Sequence, residues 1–125
     1  MRLLLDSHVA LWWLVDVELG PTCRDAIATA DEVFFSPVTP WELGLKRSLG
    51  KLDLPDDFVE ELRRSGFTEL PIMSAHANTA TLLPPLHSDP FDRMLIAQAI
   101  DESLTLVTAD AAIDLYAVDT LHARE

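Results

Sequence analysis

Residues 2–15 read RLLLDSHVALWWLV, from Arg2 to Val15. An apolar run of strand length, Arg2–Leu5, ends on a single acid, Asp6. Ser7 to Val15 then takes helical spacing, with Val9, Trp12 and Trp13 recurring along it. The same order of apolar strand, polar step and helix returns twice. Val33-Phe35 leads to a helix over Thr39 to Leu49, and Leu104-Val107 leads to a short helix over Asp110 to Leu115. Strands alternating with helices predict an α/β fold with a mainly parallel sheet. The strands are continuous apolar runs, as expected where helices cover both faces of the sheet.

The remaining segments fit this plan. Pro21 opens a second helix through Ala30, and Asp56 to Arg64 forms a fourth. Phe67-Ile72 contains a short strand, and Ser74 to Leu83 is a helix ended by Pro84-Pro85. Pro90 to Glu102 is the longest helix, and Val118-Leu121 supplies a last strand. Gly50 and Gly66 stop the third and fourth helices. The loop from Leu83 to Asp89 is the most irregular piece. A chain of 125 residues suits one domain with a real core. It has no apolar run of membrane-spanning length and no signal-peptide pattern at its start. Its one cysteine, Cys23, cannot form an internal disulfide, so a reducing, cytoplasmic location is expected.

With 21 acids against 9 bases, the net charge is −12. That balance argues against broad nucleic-acid binding and suits a metal cation or a basic protein partner. Lys46, Arg47 and Lys51 cluster, as do Arg63 and Arg64, and these read as solvated helix faces.

Several acids open helices, where any of them can serve as a cap. Asp89-Pro90-Phe91-Asp92 has a cap residue, proline at the first helical position and an acid at the third. Thr39-Pro40-Trp41-Glu42 repeats that grammar as a capping box. Yet a parallel sheet brings Asp6, Asp92 and Asp110 to one edge, and Glu42 needs only a neighbouring helix start to join them. Carboxylates gathered there repel one another unless a cation lies between them. Mg²⁺ and Mn²⁺ take such oxygens and leave room for substrate phosphate. There is no GxxxxGK loop, no Gly-x-Ser-x-Gly elbow and no Cys/His cluster for zinc, since His8, His76, His87 and His122 are scattered. Metal-assisted hydrolysis of a phosphodiester is the chemistry that remains.

Four segments in order carry a family resemblance: "LLLDSHVALWWL", "SPVTPWELGLKRSLGKL", "LPPLHSDPFDRMLIAQA" and "LTLVTAD". Over almost its whole length the chain resembles the PIN-domain ribonucleases, and within them the VapC toxins of prokaryotic toxin–antitoxin pairs. The resemblance implies a three-layer α/β/α PIN-like fold over residues 1–125. It implies an endoribonuclease whose Mg²⁺ or Mn²⁺ is held by Asp6, Glu42, Asp92 and Asp110, with Asp110 acting through water. Asp89 is then the cap and Asp92 the ligand. The family commonly has threonine where this chain has Ser7, and the hydroxyl is kept. Thr108 matches the hydroxyl residue usual before the last aspartate. Ser7 and Thr108 are expected to support the acids from behind. The resemblance also implies a homodimer and a cognate antitoxin that inhibits it.

Other residues carry competing readings. Arg93 either pairs with an acid or touches RNA phosphate, the ion pair being favoured. Lys46 either pairs with Glu42 one helical turn away or faces substrate. His8 is expected to point away from the site. Trp12, Trp13 and Trp41 are read as core or protein-contact residues rather than base-stacking platforms. Two alternatives to the ribonuclease stay open: a catalytically weak PIN-like protein-binding module, and another metal-dependent phosphohydrolase.

Overall fold

A strand of three consecutive leucines has no polar face to offer solvent. Leu3, Leu4 and Leu5 are all fully buried, which puts their strand in the middle of the sheet. A computed structural model describes residues 1–15 and 17–125. Arg2–Leu5 is β1, and Ser7–Val15 follows at once as α1. Next come α2 (Pro21–Thr29), β2 (Glu32–Phe35), α3 (Val38–Ser48), α4 (Phe58–Arg64) and a two-residue β3 (Thr68–Glu69). Then follow α5 (Ser74–Leu82), α6 (Pro90–Asp101) and β4 (Thr105–Thr108). A 3₁₀ turn over Ala111–Leu115 leads to β5 (Thr120–His122).

The sheet order is β3-β2-β1-β4-β5, and every pairing is parallel. Leu4 lies opposite Phe34 on one side and Leu106 on the other. Leu3, Leu5, Val33, Phe35 and Val107 pack beneath α1, α2 and α4 through Val9, Cys23, Ile27, Phe58 and Leu62. Leu4, Phe34 and Leu106 face the opposite layer, against Leu95, Ile96 and Ala99 of α6. The expected three-layer α/β/α arrangement is therefore present, with a sheet that is parallel throughout the described residues. Burying each leucine of β1 contributes roughly 1.5–3 kcal/mol, so the strand's end is firmly anchored.

The chain steps from β1 to β2 and β3 on one side of the sheet, and places β4 and β5 on the other. The crevice beyond the carboxyl ends of β1 and β4 is thus a topological switch point, where such sheets bind ligands. The helix stops follow their glycines: Gly50 and Gly66 take φ of +72° and +88°, the left-handed conformation that ends a helix.

One predicted cap is corrected. α3 begins at Val38, one residue before the expected start, and has no capping box at Thr39. Ser36 takes that task, its Oγ accepting from Val38 N–H and its carbonyl from Thr39 N–H. The orphan amides are satisfied before Glu42 is reached, so its carboxyl is not needed at the helix start.

Candidate metal centre

Asp6 is the first residue past β1, and its backbone N–H still bonds Val107 of β4 at 2.9 Å. Its side chain is buried and is held from two sides. Oδ1 accepts from Ser7 N–H at 2.6 Å, and Oδ2 accepts from the Thr108 hydroxyl at 2.8 Å. Thr108 Oγ1 also accepts from Asp110 N–H at 3.0 Å, tying the ends of β1 and β4 together. Ser7 Oγ lies 3.2 Å from Thr39 Oγ1, which fixes the start of α1 against α3. Of the two hydroxyl residues read from the sequence as supports, Thr108 bonds Asp6 through its hydroxyl, whereas Ser7 does so through its amide and turns its hydroxyl to Thr39.

Glu42 lies on α3 and is only 4% exposed. Its Oε2 accepts from Lys46 Nζ at 3.0 Å, the i, i+4 pair weighed from sequence. Its Oε1 is buried with no hydrogen-bond partner among the described residues. A buried, unpaired carboxylate oxygen is costly, so this atom calls for a positive partner.

Asp89 caps α6, its Oδ1 accepting from Phe91 N–H at 2.8 Å and Asp92 N–H at 3.4 Å. That leaves the Asp92 carboxyl free of capping duty. Burial pushes the Asp92 pKa up to about 7, and the negative charges of Asp6, Asp89 and Glu42 add to the rise, against a lowering by His87. Burial likewise raises the pKa of Asp6, against the lowering by its two hydrogen bonds, with Glu42 adding to the rise. Asp6, Glu42 and Asp92 thus feel one another's charge. Asp110 does double duty: its Oδ1 caps the 3₁₀ turn by accepting from Ala112 N–H at 2.9 Å. Of the four acids read from the sequence, Asp6, Glu42 and Asp92 lie near enough for their charges to interact, and Asp110 reaches Asp92 through His87.

His87 was not anticipated there. Its Nε2 lies 2.8 Å from Asp92 Oδ2 and 3.1 Å from Asp110 Oδ2. The three donor atoms lie within 4.8 Å of one another, a spacing that fits a metal or a shared proton donor. In the sequence His87 is only a polar residue in an irregular loop, and the sole signal was its place two residues before the cap Asp89.

Two further expectations change. Arg93 makes no ion pair with an acid among the described residues. Its Nη1 donates to the carbonyls of Pro84 and His87 and to Tyr116 Oη, and its Nη2 to the carbonyls of Ala80 and Leu83. Its planar fork is spent on organising the 83–89 loop. His8 does not point away from the site: its Nε2 is 3.5 Å from Lys46 Nζ, which in turn bonds Glu42. Trp12 and Trp13 pack partly on the core. Trp41 does not; it is 64% exposed and meets the Phe91 ring edge-on at 4.7 Å.

The donor set fits a hard divalent cation, being carboxylate oxygens with one of them unpaired. Three comparisons with known proteins concern the family and the fold. The PIN domain family matches residues 3–119. Ribonuclease VapC22 of Mycobacterium tuberculosis is 34% identical over 116 residues, covering 86% of this chain and 85% of that protein. The fold is similar to VapBC2 of Rickettsia felis, bound to a DNA fragment from its promoter, with a TM-score of 0.72 at 14% identity, covering 98% of each chain. It is also similar to DNA-bound VapBC of Salmonella typhimurium (TM-score 0.67, 14% identity, 98% of each chain) and FitAcB of Neisseria gonorrhoeae (TM-score 0.60, 21% identity, 96% of each). The chain belongs to the PIN-domain family, among its VapC-type members.

Proposed function

We propose that this protein is a metal-dependent endoribonuclease, a VapC-like toxin that hydrolyses RNA phosphodiester bonds and is held in check by a cognate antitoxin. The observation that carries the reading is the unpaired Glu42 Oε1, buried beside two further carboxylates, Asp6 and Asp92, whose pKa values are raised. Asp6, Glu42 and Asp92 would hold a Mg²⁺ or Mn²⁺ ion, with Asp110 at the edge of the set. When bound, the ion supplies positive charge that makes water a nucleophile at neutral pH and offsets charge on the leaving oxygen. Thr108 and the Ser7 amide orient Asp6, and Lys46 orients Glu42. With a third of its side chain exposed, Lys46 is also the basic group this reading offers to a substrate phosphate.

The partners follow from the surface. Trp41 and Leu45 of α3 and Leu49, the residue that caps its end, recur at four-residue spacing and are 64%, 45% and 61% exposed. An apolar stripe of that kind, on a chain of net charge −12, suits a protein partner with basic anchoring residues. The same reading carries a homodimer and a cytoplasmic location. No helix among the described residues is long and apolar enough to cross a membrane.

The test is cleavage of a pool of structured cellular RNAs by antitoxin-free protein. It is run with Mn²⁺ or Mg²⁺, with EDTA, and with Asp92→Asn. Discrete cuts that vanish with EDTA and with the variant support the ribonuclease. A folded protein that cuts nothing in any arm overturns it in favour of a binding module. Hydrolysis of a small phosphate ester without RNA cleavage points to a different phosphohydrolase.

A further inference from the structure

We infer that the site takes one divalent cation and not two, because the His87 imidazole fills the gap between Asp92 and Asp110 as a hydrogen-bond donor. The inference rests on the reading of Asp6, Glu42 and Asp92 as the cation site.

The argument starts from the imidazole's two nitrogens. Nδ1 lies 3.3 Å from the backbone N of Asp89 and accepts its proton. A neutral ring that accepts at Nδ1 carries its hydrogen on Nε2. That hydrogen faces Asp92 Oδ2 and Asp110 Oδ2, at 2.8 and 3.1 Å. Serving as a metal ligand through Nε2 would require moving the proton to Nδ1, which would break the bond from Asp89 N–H. The ring is therefore set to donate between the two carboxylates.

The surrounding loop holds it in that pose. The His87 N–H donates to Tyr116 Oη at 2.8 Å, and its carbonyl accepts from Arg93. Tyr116 Oη in turn donates to the Pro84 carbonyl at 2.9 Å. The ring is also largely shielded, its side chain 19% exposed.

Asp110 is then fully committed. Its Oδ1 takes the Ala112 amide and its Oδ2 takes His87. The unmet demand lies at Glu42 Oε1, which has no hydrogen-bond partner among the described residues and whose carboxyl charge acts on Asp92. Asp92 Oδ2 meets a fixed N–H, and the carboxylate oxygen that calls for a cation is Glu42 Oε1. Asp110 becomes a positioning residue, acting through His87 and Thr108.

The experiment is a Mn²⁺ titration of the whole, metal-stripped chain, read as free Mn²⁺ by EPR, with pulsed EPR of the bound ion. Wild type is expected to bind one Mn²⁺ per chain, without the coupling of a directly bonded imidazole nitrogen. Asp110→Asn should keep that Kd within about threefold, since Asp110 gives the cation no oxygen, although the single amide oxygen can serve His87 or Ala112 N–H but not both. His87→Ala should admit a second Mn²⁺, whereas His87→Gln, which keeps an N–H donor, should stay at one. Thermal melts establish that each variant is folded. Two ions on wild type, a directly bonded nitrogen, or a single ion on folded His87→Ala would each overturn the inference. If His87→Ala does not fold, two ions on His87→Gln with one on wild type would overturn the donor argument, and one on each supports it. Wild type that binds no Mn²⁺ at all sinks the underlying reading of the acids, and this inference with it.

Discussion

Asp92 is the residue where stability and function pull apart. Its folded pKa of about 7 lies above the ordinary value of 3.8. The folded, metal-free chain therefore holds a proton that the unfolded chain has released between those two values. Stability from that proton is present at low pH and is lost as pH rises through 7. Asp92→Asn should remove RNA cleavage yet stabilise the metal-free protein at pH 8 by at least about 1 kcal/mol, a few degrees in Tm. The gap between variant and wild type should narrow on going down to pH 5 and close only below about pH 4, the ordinary carboxylate value. A gap that does not change between pH 5 and 8, measured by thermal melts with EDTA, would contradict the origin given to it. The same proton competes with a cation. Below pH 7 the Mn²⁺ Kd of wild type should weaken by about tenfold per pH unit for one displaced proton, and level off above it. A pH-independent Kd would remove Asp92 from the ligand set.

At the scale of the element, α6 and the loop before it act as one device. Asp89 caps the helix through two amides, and its own N–H sets the His87 ring. Asp89→Ala removes only the side-chain part and should cost about 1 kcal/mol. Mn²⁺ stoichiometry should stay at one per chain, because the backbone N–H to His87 survives. Calorimetry reads both quantities on the same sample, and an unchanged Tm would mean the cap is not used. The cap was legible in Asp89-Pro90 because capping is a local interaction between neighbouring residues. The hold of Arg93 on the loop was not legible. Its partners, Ala80, Leu83, Pro84, His87 and Tyr116, span 37 positions and meet only when α5, α6 and the 3₁₀ turn pack together.

At the scale of the molecule, charge governs how substrate is met. Arg2, Lys46, Arg47, Arg63, Arg64 and Arg124 each pair with a carboxylate, and Arg93 is spent on the loop. With these cations engaged and a net charge of −12, RNA affinity should depend weakly on salt. For two phosphate contacts on a single strand, raising KCl from 50 to 200 mM should weaken binding by about sevenfold. A loss of several hundredfold, measured by filter binding of an uncleaved RNA with Asp92→Asn, would reveal a basic surface that the monomer does not present.

The sequence by itself determined the parallel α/β plan, the order of its segments and the four acids at the strand ends and helix starts. Those features are written in spacing: continuous apolar runs demand two covered faces, and an acid directly after such a run must lie at the sheet's edge. Only the tertiary structure decided which atoms of that edge are satisfied. It left Glu42 Oε1 without a partner among the described residues, turned His8 toward Lys46, exposed Trp41 and placed His87 between Asp92 and Asp110. The physical reason is that hydrogen bonds reach about 3 Å, while Asp6 and Thr108 are 102 residues apart in the chain. Periodicity selects the face on which a side chain lies, and packing selects the atom it meets.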